Sequence, residues 1–195
     1  MDVPKLQARV VGMLKNPTFE WRTISAEPDD IQSLYMNYII PLAAIPAIAM
    51  FLGLTIVGVP FQGRIGFFTA LSTAIVIYIQ TLIAPLVAAL VVEQLAPRFS
   101  SSGSTIDALK LVAYATTPVW LGSAIYLVVY LSPLMILPVI YAVYLFYLGL
   151  PPMLKTHPNN VVPFMLVSFI AIVVVNIFLR LLVWVFGLPQ YGICA

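Results

Sequence analysis

Four blocks of this sequence carry no charged side chain: Ile31 to Gly63, Ile65 to Val92, Leu111 to Leu154 and Thr156 to Leu179. Within them apolar residues occupy every helical face instead of one stripe, the pattern of helices surrounded by apolar material. A lysine, arginine or aspartate at a bilayer centre costs about 2.5 to 3.5 kcal/mol on insertion scales, so membrane chains confine such residues to loops. A hydrocarbon core of about 30 Å takes roughly 20 residues of helix, and three of the blocks fit one span each. The block from Leu111 to Leu154 covers 44 residues. As one helix it would measure about 66 Å, twice the available thickness, so it must hold two spans. The sequence therefore predicts an all-α polytopic membrane helix bundle of five transmembrane helices, at about 36–59, 67–92, 106–130, 133–150 and 161–186.

Turn chemistry sets these boundaries. The segment from Pro60 to Gly66 separates the first two spans. Ser104, three residues before Asp107, reads as a capping box that opens the third span after the loop Ser100-Ser101-Ser102-Gly103. Leu131-Ser132-Pro133 is the expected break in the long block, and Pro151-Pro152 stops the fourth span because neither residue donates a helical hydrogen bond. Pro118 cannot donate to the carbonyl of Tyr114, which predicts a kink in the third span, with the Thr116 and Thr117 hydroxyls available to the freed backbone.

Residues 1–34 differ in kind and form an N-terminal cytosolic or interfacial segment, with the transmembrane domain at 35–195. Val3, Leu6, Val10, Met13 and Leu14 recur at helical spacing while Lys5, Arg9 and Lys15 lie off that face. Two readings are open: an amphipathic helix lying in the headgroup layer, or one packed on the ends of the spans. Trp21 is expected at the membrane interface. Glu27-Pro28-Asp29-Asp30 should open the helix leading into the first span, where proline and acids suit the first turn. Capping is the commoner use of such carboxylates than cation binding, so no metal site is assigned. Basic residues give the orientation. Lys5, Arg9, Lys15, Arg22, Arg98, Lys110 and Lys155 fall on one side and Arg64 on the other, which places the N-terminus in the cytoplasm and the C-terminus outside.

Composition agrees and excludes several function classes. The chain is 62% hydrophobic and 8% charged, against about 25% charged in soluble domains. A net charge of +2 without a basic run gives no reason to expect a nucleic-acid partner. The single cysteine, Cys194, excludes an internal disulfide framework, and the first 34 residues lack the apolar core of a cleavable signal peptide. His157 stands alone in a loop, and there is no His-Glu-x-x-His, Gly-rich phosphate loop or Gly-x-Ser-x-Gly. The serines at 100–104 have no base beside them, so neither an enzyme nor a cofactor is expected.

Polar residues inside or at the ends of the spans are the functional candidates, because lipid makes them costly unless paired. Arg180 and Asn176 lie one helical turn apart in the outer half of the fifth span, far from any acidic side chain. Snorkelling to the headgroups and a substrate or anion site are the two readings of Arg180. Glu93, Arg98, Asp107 and Lys110 are expected to form an interfacial salt-bridge cluster or a cation access site. Gln80 with Pro85, and Lys110 with Tyr114 and Pro118, mark broken helices of the kind that build solute sites, or packing kinks. Ala84 and Ala88 would let a neighbouring helix approach closely, within the bundle or in a second copy.

The order of several phrases resembles the bacterial branch of the Yip family, named for Ypt-interacting proteins. They are Asn16-Pro17 with Trp21, Glu27, Tyr38-Ile39-Ile40-Pro41-Leu42-Ala43, Ala113-Tyr114-Ala115-Thr116-Thr117-Pro118, and Tyr141 through Gly149-Leu150-Pro151. The resemblance implies five spans and residence in a bacterial inner membrane. Eukaryotic members carry Asp-Leu-Tyr-Gly-Pro ahead of the first span, where this chain reads Ile31-Gln32-Ser33-Leu34-Tyr35-Met36, so a Rab-binding role does not carry over. The expectation is a non-enzymatic adaptor or membrane organiser, its partners the lipid bilayer with a membrane protein or a second copy. A small-ion or solute transporter or channel is the alternative, and a lipid-handling protein the next.

Overall fold

The computed structural model describes residues 3–59 and 63–185, and among these the side chains at 179, 180 and 182–185 are outside the described set. The described architecture is all-α. Two short helices, α1 (Val3–Lys15) and α2 (Pro17–Ala26), form a head. Asn16 caps α2, its side chain accepting from the Phe19 N–H, and Pro17 occupies the first turn where its missing donor is not needed.

The first membrane helix, α3, runs over Ile31–Val57 and starts directly after Asp30, so the acidic approach does open it, earlier than the expected 36. Its turn at Tyr35–Ile39 is widened to a π turn just ahead of Pro41. A proline lacks a donor and crowds the preceding turn, and a π bulge absorbs both defects. The helix α4 spans Phe67–Leu95, and a 3₁₀ turn extends it to Phe99. Then α5 (Thr105–Ala115) and α6 (Thr117–Gly122) form one broken leg, followed by α7 (Ile136–Leu154) and α8 (Val161–Val185). Ser104 and Asp107 make the expected capping box at the start of α5. The Thr117 hydroxyl donates to the Tyr114 carbonyl at 2.7 Å, filling the place that Pro118 leaves.

The break in the long block does not sit at Leu131-Ser132-Pro133. Helix α6 ends at Gly122, the chain continues as 3₁₀ turns over Ser123–Leu127 and Val129–Met135, and the extended residue is Val128. Pro133 is absorbed inside the second 3₁₀ stretch. Gly122 explains the position of the turn, since a methyl there would stand 2.6 Å from the Pro138 ring, and the missing side chain lets α6 lie against α7.

Four runs are long and apolar enough to cross a membrane: Ile31–Val57, Phe67–Phe99, Val129–Leu154 and Pro158–Phe178. The expected third span is not among them, because the break at Thr116 divides it into α5 and a short second half. The two ends of the bundle are defined by contacts. At the head end the Ser102 N–H donates to the Leu154 carbonyl at 2.9 Å and Asn160 donates to the Phe99 carbonyl at 2.9 Å. At the far end Gly53 admits the Tyr126 backbone, and Gly58, at φ +87°, turns the chain into a bridge between Val59 and Gly63. The core joins the head to all of these legs, from Met13, Trp21 and Ile24 through Leu111 and Leu145 to Phe164. Outward faces are apolar, with Ile75, Ile79 and Ile83 on α4, Leu137 and Ile140 on α7, and Ile170 and Val174 on α8 exposed, as a lipid surrounding requires.

Candidate functional site

Polar side chains from four elements meet where the head covers the bundle. Arg9 lies one turn before the buried Met13 on α1 and points inward, 8% exposed, rather than off the apolar face as its spacing suggested. Its guanidinium pairs with Glu20 of α2 at 2.5 Å and with Glu27 beyond α2. The Arg9 hydrogen bond holds the Glu27 carboxyl below the usual glutamate range, against a smaller opposing effect of burial. Burial lowers the Arg9 affinity for its proton, yet the Glu27 and Glu20 carboxylates reverse this and hold it above the ordinary arginine value. The packing reading of α1 thus rests on a buried ion pair as well as on apolar contact.

Lys110 of α5 is also buried, 4% exposed, and its ammonium donates to the carbonyls of Glu27 at 2.6 Å and Ile24 at 3.4 Å. These carbonyls end α2, where the helix dipole favours a cation. Together Arg9, Lys110, Glu20 and Glu27 balance in charge, which a buried polar group needs. One turn along α5, Tyr114 lies under Arg9, whose guanidinium carbon is 5.9 Å from the ring centroid. Its ring meets Tyr38 at 4.4 Å and Trp21 at 6.3 Å. The Tyr38 hydroxyl shares a 2.6 Å hydrogen bond with Thr117. Above this aromatic floor opens a cleft of about 510 Å³ lined by Lys5, Arg9, Glu27, Asp29, Ser33 and Asn37 with Tyr38 and Tyr114.

Trp21 is not an interfacial anchor. It is 1% exposed and rests on Gly149 of α7, where a methyl would come within 2.7 Å of the indole and 2.5 Å of Leu111. Nothing in the local sequence marks this contact.

The structure separates the expected cluster at the ends of α4 and α5. Glu93 accepts from the Thr105 hydroxyl at 2.8 Å, Asp107 caps its own helix through Ser104, and Lys110 turns to the head. Among the described residues Arg98 joins none of them in an ion pair. The four charges serve separate ends because α5 rotates Lys110 inward while Asp107 stays in the first turn.

Gln80 and Asn176 come together in a second cavity of about 280 Å³ at mid-bundle, lined also by Ala84, Pro85, Ala88, Thr116 and Ser123. Most of this wall is apolar. The Asn176 amide donates to the Ile172 carbonyl at 2.8 Å, and Ala84 and Ala88 face the cavity rather than an outer surface. Pro118 sits beside this region, buried at the break of the leg. The Arg180 side chain lies outside the described residues.

Comparison with known proteins agrees with this architecture. The inner membrane protein YohC of Escherichia coli (strain K12) is 28% identical over 188 residues, covering 92% of this chain and 96% of that protein. The protein of the same name from Escherichia coli O6:H1 matches to the same extent. No solved structure matches the chain. The Yip1 domain matches residues 11–188, beginning within α1 and covering most of the chain, and the chain belongs to the Yip1 domain family.

Proposed function

We propose that this protein is a non-enzymatic adaptor or membrane organiser of a bacterial inner membrane. It crosses five times, with the head in the cytoplasm and the C-terminus outside. The observation that carries the reading is the head itself. Arg9, Lys110 and Trp21 fix it rigidly on the bundle, while Phe19, Val3 and Leu14 face outward at 64%, 57% and 40% exposure. Apolar side chains left exposed on a head that is tied to the bundle offer contact points for a partner surface. The broken leg supports the fifth crossing, because α5 begins beside the end of α7 at the head end and Tyr126 reaches Gly53 at the far end. The YohC name supports the inner membrane.

A photocrosslinking residue at position 19 should give one discrete protein adduct in native membranes, and deleting residues 1–34 from an affinity-tagged chain should abolish copurification of that same protein. A smear of lipid adducts, or copurification unchanged by the deletion, rejects the adaptor reading. An impermeant thiol reagent tests topology: it should label Cys194 in intact cells. Protection that persists until lysis, with labelling after denaturation, inverts the orientation.

The convergence of Gln80 and Asn176 on one mid-bundle cavity favours transport as the second reading. Reconstituted vesicles should then pass a small solute, and Gln80→Leu should abolish that flux. Absence of flux across ordinary ions and metabolites leaves the adaptor.

A further inference from the structure

We propose that the mid-bundle cavity binds a small monovalent organic cation, an ammonium bearing a short alkyl group. This deepens the transport reading and rests on it only in taking the same cavity as the site. The wall's polar groups have mainly acceptors left to offer. Thr81, Thr116 and Ser123 line the cavity, and each hydroxyl donates to a carbonyl three or four residues back: Ile77 at 2.7 Å, Val112 at 2.5 Å and Trp120 at 2.5 Å. With its hydrogen spent, such an oxygen can only accept. The Asn176 amide is likewise spent on Ile172, and its side-chain oxygen accepts no hydrogen bond among the described residues. Gln80 adds an amide that makes no hydrogen bond among the described residues. Pro46 and Pro85 line the cavity too, and each leaves the carbonyl one helical turn back, Leu42 and Thr81, without its usual donor.

No charged side chain is among the lining residues. Oxygen acceptors without a carboxylate suit one positive charge, whereas divalent ions are held by carboxylates and an anion would find few donors here. A bare monovalent metal ion needs a close shell of oxygens in place of its water, which a largely apolar space of about 280 Å³ does not provide. An alkylammonium uses both parts of the wall: its N–H groups meet the oxygens and its carbons meet the apolar remainder. The aromatic residues Trp120 and Tyr126 line the same space, and aromatic faces attract ammonium groups. A second observation comes from Ser168. It lies on the face of α8 that carries Ile172 and Asn176, one turn nearer the head, is fully buried, and its hydroxyl has no hydrogen-bond partner. Native interiors rarely leave such a group unpaired unless a bound water or ion serves it. The polar stripe of α8 thus continues past the cavity wall, and a ligand or the water it carries supplies the missing partner.

Purified full-length protein in detergent would be titrated with ethylammonium, and with ethanol and propionate as neutral and anionic counterparts of similar size, at constant ionic strength and read by saturation-transfer NMR. Ethylammonium should bind at least about fivefold more tightly than either counterpart. Gln80→Leu and Asn176→Leu should each weaken it by about tenfold, the scale of one hydrogen bond to a charged group, with melting temperatures confirming that both variants fold. Equal binding of the three probes to the wild type overturns the proposal, whatever the variants do. So does wild-type affinity for ethylammonium in both variants. Flux into reconstituted vesicles is read separately. Selective binding without flux keeps the cation site and removes the transport reading, whereas flux of a neutral solute with no preference for ethylammonium keeps transport and overturns the cation site.

Discussion

Polar side chains at the head end and in the body of this bundle bond in opposite ways. At the head end they tie distant segments together: Lys110 to Glu27, Tyr38 to Thr117, Tyr35 to Leu82, Ser101 to Thr156 and Tyr141 to Leu14. In the body of the bundle Thr55, Thr73, Thr81, Thr116, Ser123 and Asn176 each donate to a carbonyl three or four residues back on their own helix. A bond within one helix satisfies the group without fixing neighbours, and in lipid even bonds between helices average only about 0.6 kcal/mol. The head end is thus locked by specific pairs, and the body is held by apolar packing that leaves room for a cavity.

Arg9→Ala should break this contrast most strongly. It leaves Glu20 and Glu27 facing a buried site without their cation, a loss of about 3 kcal/mol, the low end for a broken buried pair because Glu27 is partly exposed. Thermal unfolding in detergent should show it, together with new proteolytic cleavage between α2 and α3. A melting temperature equal to wild type would mean that the head is not locked by charge.

Gly149→Ala comes next, at about 2 kcal/mol, because a methyl there meets both the Trp21 ring and Leu111 and both are packed on all sides. If packing at this glycine seats the head, near-ultraviolet circular dichroism from Trp21 should weaken. Recovery of the melting temperature by the second change Trp21→Phe would confirm that the clash is with the indole.

How much of this was legible in the sequence follows the same division. Charge-free blocks gave the helices, Ser104 and Asp107 gave a cap, and Pro118 gave the broken leg, because each depends on chemistry within a few residues. The turn at Val128 was displaced from Pro133, since its place is fixed by Gly122 against Pro138, sixteen residues ahead in the chain. The inward turn of Arg9 was hidden for the same reason: its partners lie on α2 and beyond, and helical spacing reports only which residues share a face. Lys110 and Tyr114 stood out as polar groups in an apolar run, yet nothing local told that Lys110 reaches the end of α2 rather than Glu93 or Asp107.

Acid should loosen the head by a smaller amount. Glu27 carries a carboxyl held below its ordinary 4.5 by Arg9, with Lys5 and Lys110 adding to the effect. A group with a depressed folded value stabilises above the unfolded value and loses that contribution as pH falls through the folded one. Melting temperature should therefore be flat from neutral pH down to about 5 and decline below about 4.5. Glu27→Gln should start from a lower plateau and flatten that acid limb. An unchanged slope in the variant would assign the acid response to other carboxylates.

Thr81→Val should have the least effect, under about 0.5 kcal/mol, and it is the sharpest test of the contrast because the residue lines the mid-bundle cavity. Its hydroxyl donates to the Ile77 carbonyl at 2.7 Å, a carbonyl already served by its own helix, so the exchange removes a local bond and leaves no partner stranded. Valine matches threonine in shape, and the cavity wall keeps its volume while losing one polar atom. A melting temperature within a degree or two of wild type would show that polar groups in the body do not hold the legs together. A loss comparable to that of Arg9→Ala would instead mean that Thr81 supports a polar path with Gln80 and Asn176, and would move the weight from the adaptor to transport.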